Sequence, residues 1–144
     1  MIEQDTVKLL RECDAGVRMG VSSIGEARDY AHSGRLRRLL DDCRAEHEKL
    51  GREIEGLLRQ YHDEDKELSP MARGMSWVRT NVRLAFGESD SAVAGLMTDG
   101  CNMGVKSLAR YLNQYQAADE ESKAIARRLI GLEERLAKDV RSFL

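Results

Sequence analysis

The sequence predicts an all-α protein: a ferritin-like four-helix bundle of two antiparallel helical hairpins, joined by a long crossover that contains an additional helix. Three observations predict it. Four long segments carry apolar residues in alternating steps of three and four, the spacing that lines one face of a helix. The chain of 144 residues holds one proline, Pro70, and is 33% charged but only 5% aromatic, the balance of long helices with aliphatic seams. The stretch between the second and third segments is too long for a turn. An up-down-up-down bundle needs only a short connection there, whereas a crossover bundle needs a long one.

Helix A is expected over 5–30, on the series Val7, Leu10, Asp14, Val17, Val21 and Ile24. Asp5 or Thr6 is placed to cap its start through a side-chain oxygen. Ala31-His32-Ser33-Gly34 reads as a short turn, so helix B, over 35–62, returns antiparallel. Its series is Leu36, Leu40, Cys43, His47, Leu50, Ile54, Leu57 and Tyr61. Pairs such as Glu48 and Arg52 mark its solvated face. After a charged break, Ser69-Pro70 restarts a helix in the favoured way and a crossover helix follows over 70–86, with Met71, Met75 and Val78 on one side and Trp77 nearby. Ser89 and Asp90 lie in the segment that caps helix C, over 91–115, whose face is Val93, Met97, Gly100, Gly104, Leu108, Tyr111 and Tyr115. Ala117-Ala118-Asp119 is a tight connection to helix D, over 120–143, with Ile125, Leu129, Leu132, Leu136, Val140 and Phe143 inward.

Two polar residues interrupt these seams. Asp14 and His47 occupy positions where the pattern calls for an aliphatic side chain, and a polar layer inside a bundle is where such folds keep metals or switches. With the A–B turn near His32, residue 14 lies level with about residue 50, so His47 is expected within side-chain reach of Asp14. That pair reads either as a hydrogen bond that fixes helix register or as half of a metal site, with Asp99 and Cys101 on helix C as further candidates. A di-metal carboxylate bundle needs inward Glu on two helices and Glu-x-x-His on the other two. Arg44 stands three residues before His47 and Arg59 three before His62, so that set is incomplete. Helix D has no histidine, and its Glu133-Glu134 sits beside the Leu132–Leu136 face.

Glycine is spaced four apart twice, at Gly16 and Gly20 and at Gly100 and Gly104. Each costs ~1 kcal/mol in a helix interior relative to alanine, so an A–C contact or a homodimer seam is expected to offset it. The three cysteines, Cys13, Cys43 and Cys101, form no CxxC and read as buried reduced thiols of a cytoplasmic protein. The first twenty residues carry charges throughout and resemble no signal peptide, and no run suits a membrane span. A net charge of −2 argues against nucleic acid, including a protective DNA-binding role. The arginines at Arg35, Arg37 and Arg38 are interleaved with acids and read as a solvated face. No phosphate loop or nucleophile motif occurs.

The chain resembles the bacterial ferritin-like domain of unknown function 2383 family. The resemblance spans nearly the whole sequence. It is carried by Leu9-Leu10-x-x-x-Asp14, by Arg44-Ala45-Glu46-His47, by the Ser69-Pro70 start with Trp77, and by Asp99-Gly100 followed by Tyr111. Where family members place a Gly-Glu pair in helix C, this chain has Gly100-Cys101. Where a tyrosine follows the helix A aspartate, Met19 stands near that place. The resemblance implies the fold and lends no activity. The expectation is therefore a non-enzymatic structural or interaction module with no cofactor, a homo-oligomer (dimer first) with a possible protein partner. The alternative is a degenerate metal protein with a transition metal at Asp14, His47, Asp99 and Cys101.

Overall fold

The computed structural model describes residues 2–61 and 89–144. Among them the chain forms four long helices and no strand: α1 (Ile2–Arg28), α2 (Gly34–Gln60), α3 (Asp90–Gln114) and α4 (Glu120–Asp139). A short 3-10 turn, Arg141–Phe143, follows α4. The expected helix over 70–86, with Ser69-Pro70, Met71, Met75 and Trp77, lies outside the described residues, as does His62 at the expected end of helix B.

The helix starts follow local chemistry. Ser33, Ser89 and Asp119 each stand in extended backbone and accept a hydrogen bond from the amide three residues on, which satisfies one of the orphan donors of the first turn. Asp5 and Thr6 do something other than cap α1, which already begins at Ile2. Asp5 Oδ2 accepts from the Ala117 amide at 3.1 Å and Thr6 Oγ1 from the Asp119 amide at 2.8 Å. They clamp the α3–α4 connection onto the start of α1. Helix D is also shorter than its apolar series: α4 ends at Asp139, and Phe143 is carried by the 3-10 turn, where the Arg35 guanidinium lies 4.6 Å from its ring centre.

Contacts at the two ends fix the helix directions. At one end, Thr6 meets Asp119, and the Tyr61 hydroxyl donates to Asp119 Oδ2 at 3.3 Å. At the other, the His32 and Ser33 amides donate to the Asp90 carboxylate, and Arg35 donates to Ser142 Oγ at 3.0 Å. So α1 and α4 run one way, α2 and α3 the other, and α2 finishes at the end opposite to where α3 begins. α1 packs against α2, α3 and α4, and α2 packs against α4.

Two apolar clusters fill the interior. One gathers Leu9, Cys13, Val17, Leu50, Ile54, Leu108 and Leu129; the other gathers Ile24, Leu36, Leu40, Met97, Cys101, Leu136 and Val140. Between them lies the polar layer.

Candidate functional site

The layer takes one position from each helix. α2 contributes His47, fully buried, and α4 contributes Glu133, whose side chain is 13% exposed. α1 and α3 contribute glycines, Gly20 and Gly104. His47 Nε2 lies 2.9 Å from Glu133 Oε1. His47 Nδ1 lies 2.8 Å from the Cys43 carbonyl oxygen one turn earlier, with the Cys43 thiol 3.5 Å away.

A carbonyl oxygen only accepts, so Nδ1 carries a hydrogen. One further proton then sits on the line between Nε2 and Oε1. Burial alone would lower the basicity of the imidazole. The hydrogen bonds to Cys43 and Glu133 and the charge of Glu133 outweigh it and push the pKa of His47 up to about 10. The pair is therefore an imidazolium held against a carboxylate, neutral as a unit, with the imidazole fully buried and the carboxylate 13% exposed.

Gly20 makes room for it. A Cβ at that position would stand 2.7 Å from His47 Cδ2 and 2.9 Å from Nε2. The ring is anchored at both nitrogens, so it cannot swing away as the tip of a flexible chain would. The same device recurs along the hairpin: a Cβ on Gly51 would meet Val17 Cγ1 at 3.0 Å, and one on Gly25 would meet the Arg44 guanidinium at 3.2 Å.

These contacts correct the expected hairpin register. Val17 lies against Gly51, Gly20 against His47, and Arg28 binds Asp41 at 2.6 Å. Asp14 is six residues before Gly20, about one and two-thirds turns from the imidazole. The hairpin pivots later in the sequence than a turn centred on His32 implies, and that moves Asp14 out of the layer. Asp14 is 1% exposed and its Oδ2 lies 2.8 Å from the guanidinium of Arg18, one turn on along α1. Both nitrogens of His47 are taken by Cys43 and Glu133, so Asp14 is not its partner.

Of the four residues singled out in the sequence, His47 and Cys101 come together, through Glu133. Burial first, then the charge of the nearby Glu133 carboxylate, pushes the pKa of the Cys101 thiol far up. Such a thiol stays protonated and is a poor ligand or nucleophile. Cys13 is pushed up to about 12 by burial and by Glu12 and Asp14. All three cysteines are free thiols. Asp99 is exposed on the outside of α3.

Glu133 is the residue the sequence reading left unused. Its signal was present: Leu129, Glu133, Leu136 and Val140 also step by four, three and four, so the carboxylate shares an inward series with leucines. Gly20 carries the same signal on α1, between Val17 and Ile24 and followed by the buried Ala27.

Among the described residues, no group of three or more His, Cys, Asp and Glu side chains is arranged to hold a metal ion. The donors present do not fit a di-metal carboxylate centre, because the one imidazole and the one carboxylate of the layer bind each other. Also among the described residues, no helix is long and apolar enough to cross a membrane.

Beside the layer lies a cavity of about 250 Å³ between α1, α3 and α4. Gly16, Gly20, Gly100 and Gly104 all line it, and Glu133 stands in its wall. No protein-family model, no curated protein and no solved structure matches the chain.

Proposed function

We propose that the chain is a non-enzymatic helical-bundle module of ferritin-like architecture, a cytoplasmic structural or interaction unit that works as a homo-oligomer, a dimer first. The observation that carries this reading is the closed bonding of His47. A fully buried imidazole whose nitrogens are both engaged acts as a register lock between the hairpins. The helix directions, with α1 and α4 one way and α2 and α3 the other, support the ferritin-like order of two hairpins and one crossover. Membership of the domain of unknown function 2383 family is part of the same proposal and rests on the motif residues around Asp14, His47 and Asp99.

Light scattering and elemental analysis on full-length protein purified without chelator test the reading together. The expected result is a mass of twice 16.2 kDa with no stoichiometric transition metal. A monomer that captures no partner would count against the module. About one metal per chain, lost in His47→Ala, would replace it with the metal-protein alternative, with Glu133 and Cys101 standing nearer to His47 than Asp14 or Asp99 does.

A further inference from the structure

We infer that the cavity between α1, α3 and α4 is a binding site for a neutral, ring-sized apolar molecule that carries one hydrogen-bond donor, of the phenol or indole class. Three features of the wall lead there.

Size comes first. The cavity holds about 250 Å³. A cavity of ~150 Å³ lined by aliphatic side chains already accepts a benzene ring. A single ring with a substituent, or a fused bicycle, is the matching scale.

The lining comes second. Met19, Met97 and Met103 face the space together with Ile24, Leu96 and Leu108. Thioether sulfur makes favourable contacts with aromatic rings, and methionine adapts its shape to the guest. The glycines expose flat backbone, which suits a planar ring. Gly100 has no atom within 4 Å of where its Cβ would be, so the space is open at that point.

The third feature is the one strong acceptor. Glu133 Oε1 is bound to His47, whereas Oε2 lies 3.5 Å from the Cβ position of Gly104, on the cavity side. A carboxylate offers about four acceptor sites. His47 takes one, which leaves capacity for a donor from a guest. The charge of that donor is decided by the pair it joins. His47 and Glu133 are already neutral together, so an ammonium would bring an uncompensated charge into the interior. A carboxylate head would be repelled by Glu133 at the inner end, although Arg110 at the exposed rim would attract it. A hydroxyl or ring N–H avoids both penalties.

The test uses full-length protein with phenol, indole, toluene, benzylamine and benzoate as probes, read by thermal shift and ligand-observed NMR. Phenol and indole are expected to bind saturably and raise Tm. Toluene, without a donor, is expected to bind about tenfold more weakly, the weight of one hydrogen bond. Gly100→Leu fills the space from its open side and is expected to abolish binding without lowering Tm. Should that variant fold poorly, Gly100→Ala narrows the same space and is expected to weaken binding severalfold. The inference is overturned by the absence of saturable binding of phenol and indole, by binding that survives Gly100→Leu, or by benzylamine or benzoate binding more tightly than the neutral probes. None of these outcomes bears on the oligomeric state or metal content that test the proposed function.

Discussion

The seam between α2 and α4 and the seam between α1 and α3 cross the same layer of the bundle and are built in opposite ways. On the first, an imidazole and a carboxylate meet at 2.9 Å and close the space between the helices. On the second, glycines face one another and the space stays open as a cavity of about 250 Å³. Of Gly20, Gly100 and Gly104, only Gly20 is forced. Gly20 admits the imidazole, while Gly100 is in contact with nothing and Gly104 meets Glu133 at ordinary distance. Glycine in a helix therefore carries two meanings here: clearance for a neighbour's side chain, and clearance that no described residue fills.

Substitutions at the two seams should separate these meanings. The largest effect is expected from His47→Ala, which leaves Glu133 charged and without its imidazole partner; urea denaturation should show a loss of about 3–5 kcal/mol. The closed seam also predicts a pH dependence. The pKa of His47 is raised by the fold from 6.5 to about 10, so its contribution to stability is complete below about pH 6.5 and is lost as pH rises through about 10. Denaturation midpoints measured from pH 6 to pH 10 should fall by an amount equivalent to several kcal/mol in wild type, since each pKa unit is worth about 1.4 kcal/mol. Removing His47 should flatten that decline, and an equally steep decline in its absence would break the assignment.

The glycine contrast sharpens the comparison further. Gly20→Ala should destabilise by about 2 kcal/mol, because the clash with an anchored ring outweighs the helix propensity gained. Gly100→Ala should do the reverse and stabilise by up to ~1 kcal/mol, since its Cβ meets no neighbour. Opposite signs at these two sites, measured side by side, would establish the difference between the seams. The smallest effect belongs to the surface. The Arg128–Glu53 ion pair, with both oxygens engaged at 2.8 and 3.0 Å, bridges α2 and α4 in solvent, and Arg128→Ala should cost less than ~1 kcal/mol.

Much of this architecture was legible in the sequence. The apolar series placed the four described helices to within a few residues, because steps of three and four are what one face of a helix requires, and Ser89 lay in the segment read as the cap of the third. The buried positions of Asp14 and His47 were legible for the same reason. Their separation was not. Register in a hairpin depends on how the turn folds: Asp90 binds the His32 and Ser33 amides, and Arg37 donates to the Ala31 carbonyl, contacts that no periodicity encodes. Glu133 escaped because Leu132 beside it offers an equally good apolar series. Only the pairing with His47, 86 positions away, distinguishes the two. The role of Gly20 was hidden likewise, since a glycine's neighbour is set by packing between helices and not by its own segment.

The central claim is that His47 and Glu133 lock the two hairpins together across the polar layer. A double-mutant cycle with His47→Leu and Glu133→Met, read by equilibrium denaturation at pH 7, tests it most directly. A lock predicts that each single variant is strongly destabilised, that the double variant recovers most of the loss, and that the coupling reaches at least about 2 kcal/mol. Additive losses, with a coupling below ~0.5 kcal/mol, would contradict it.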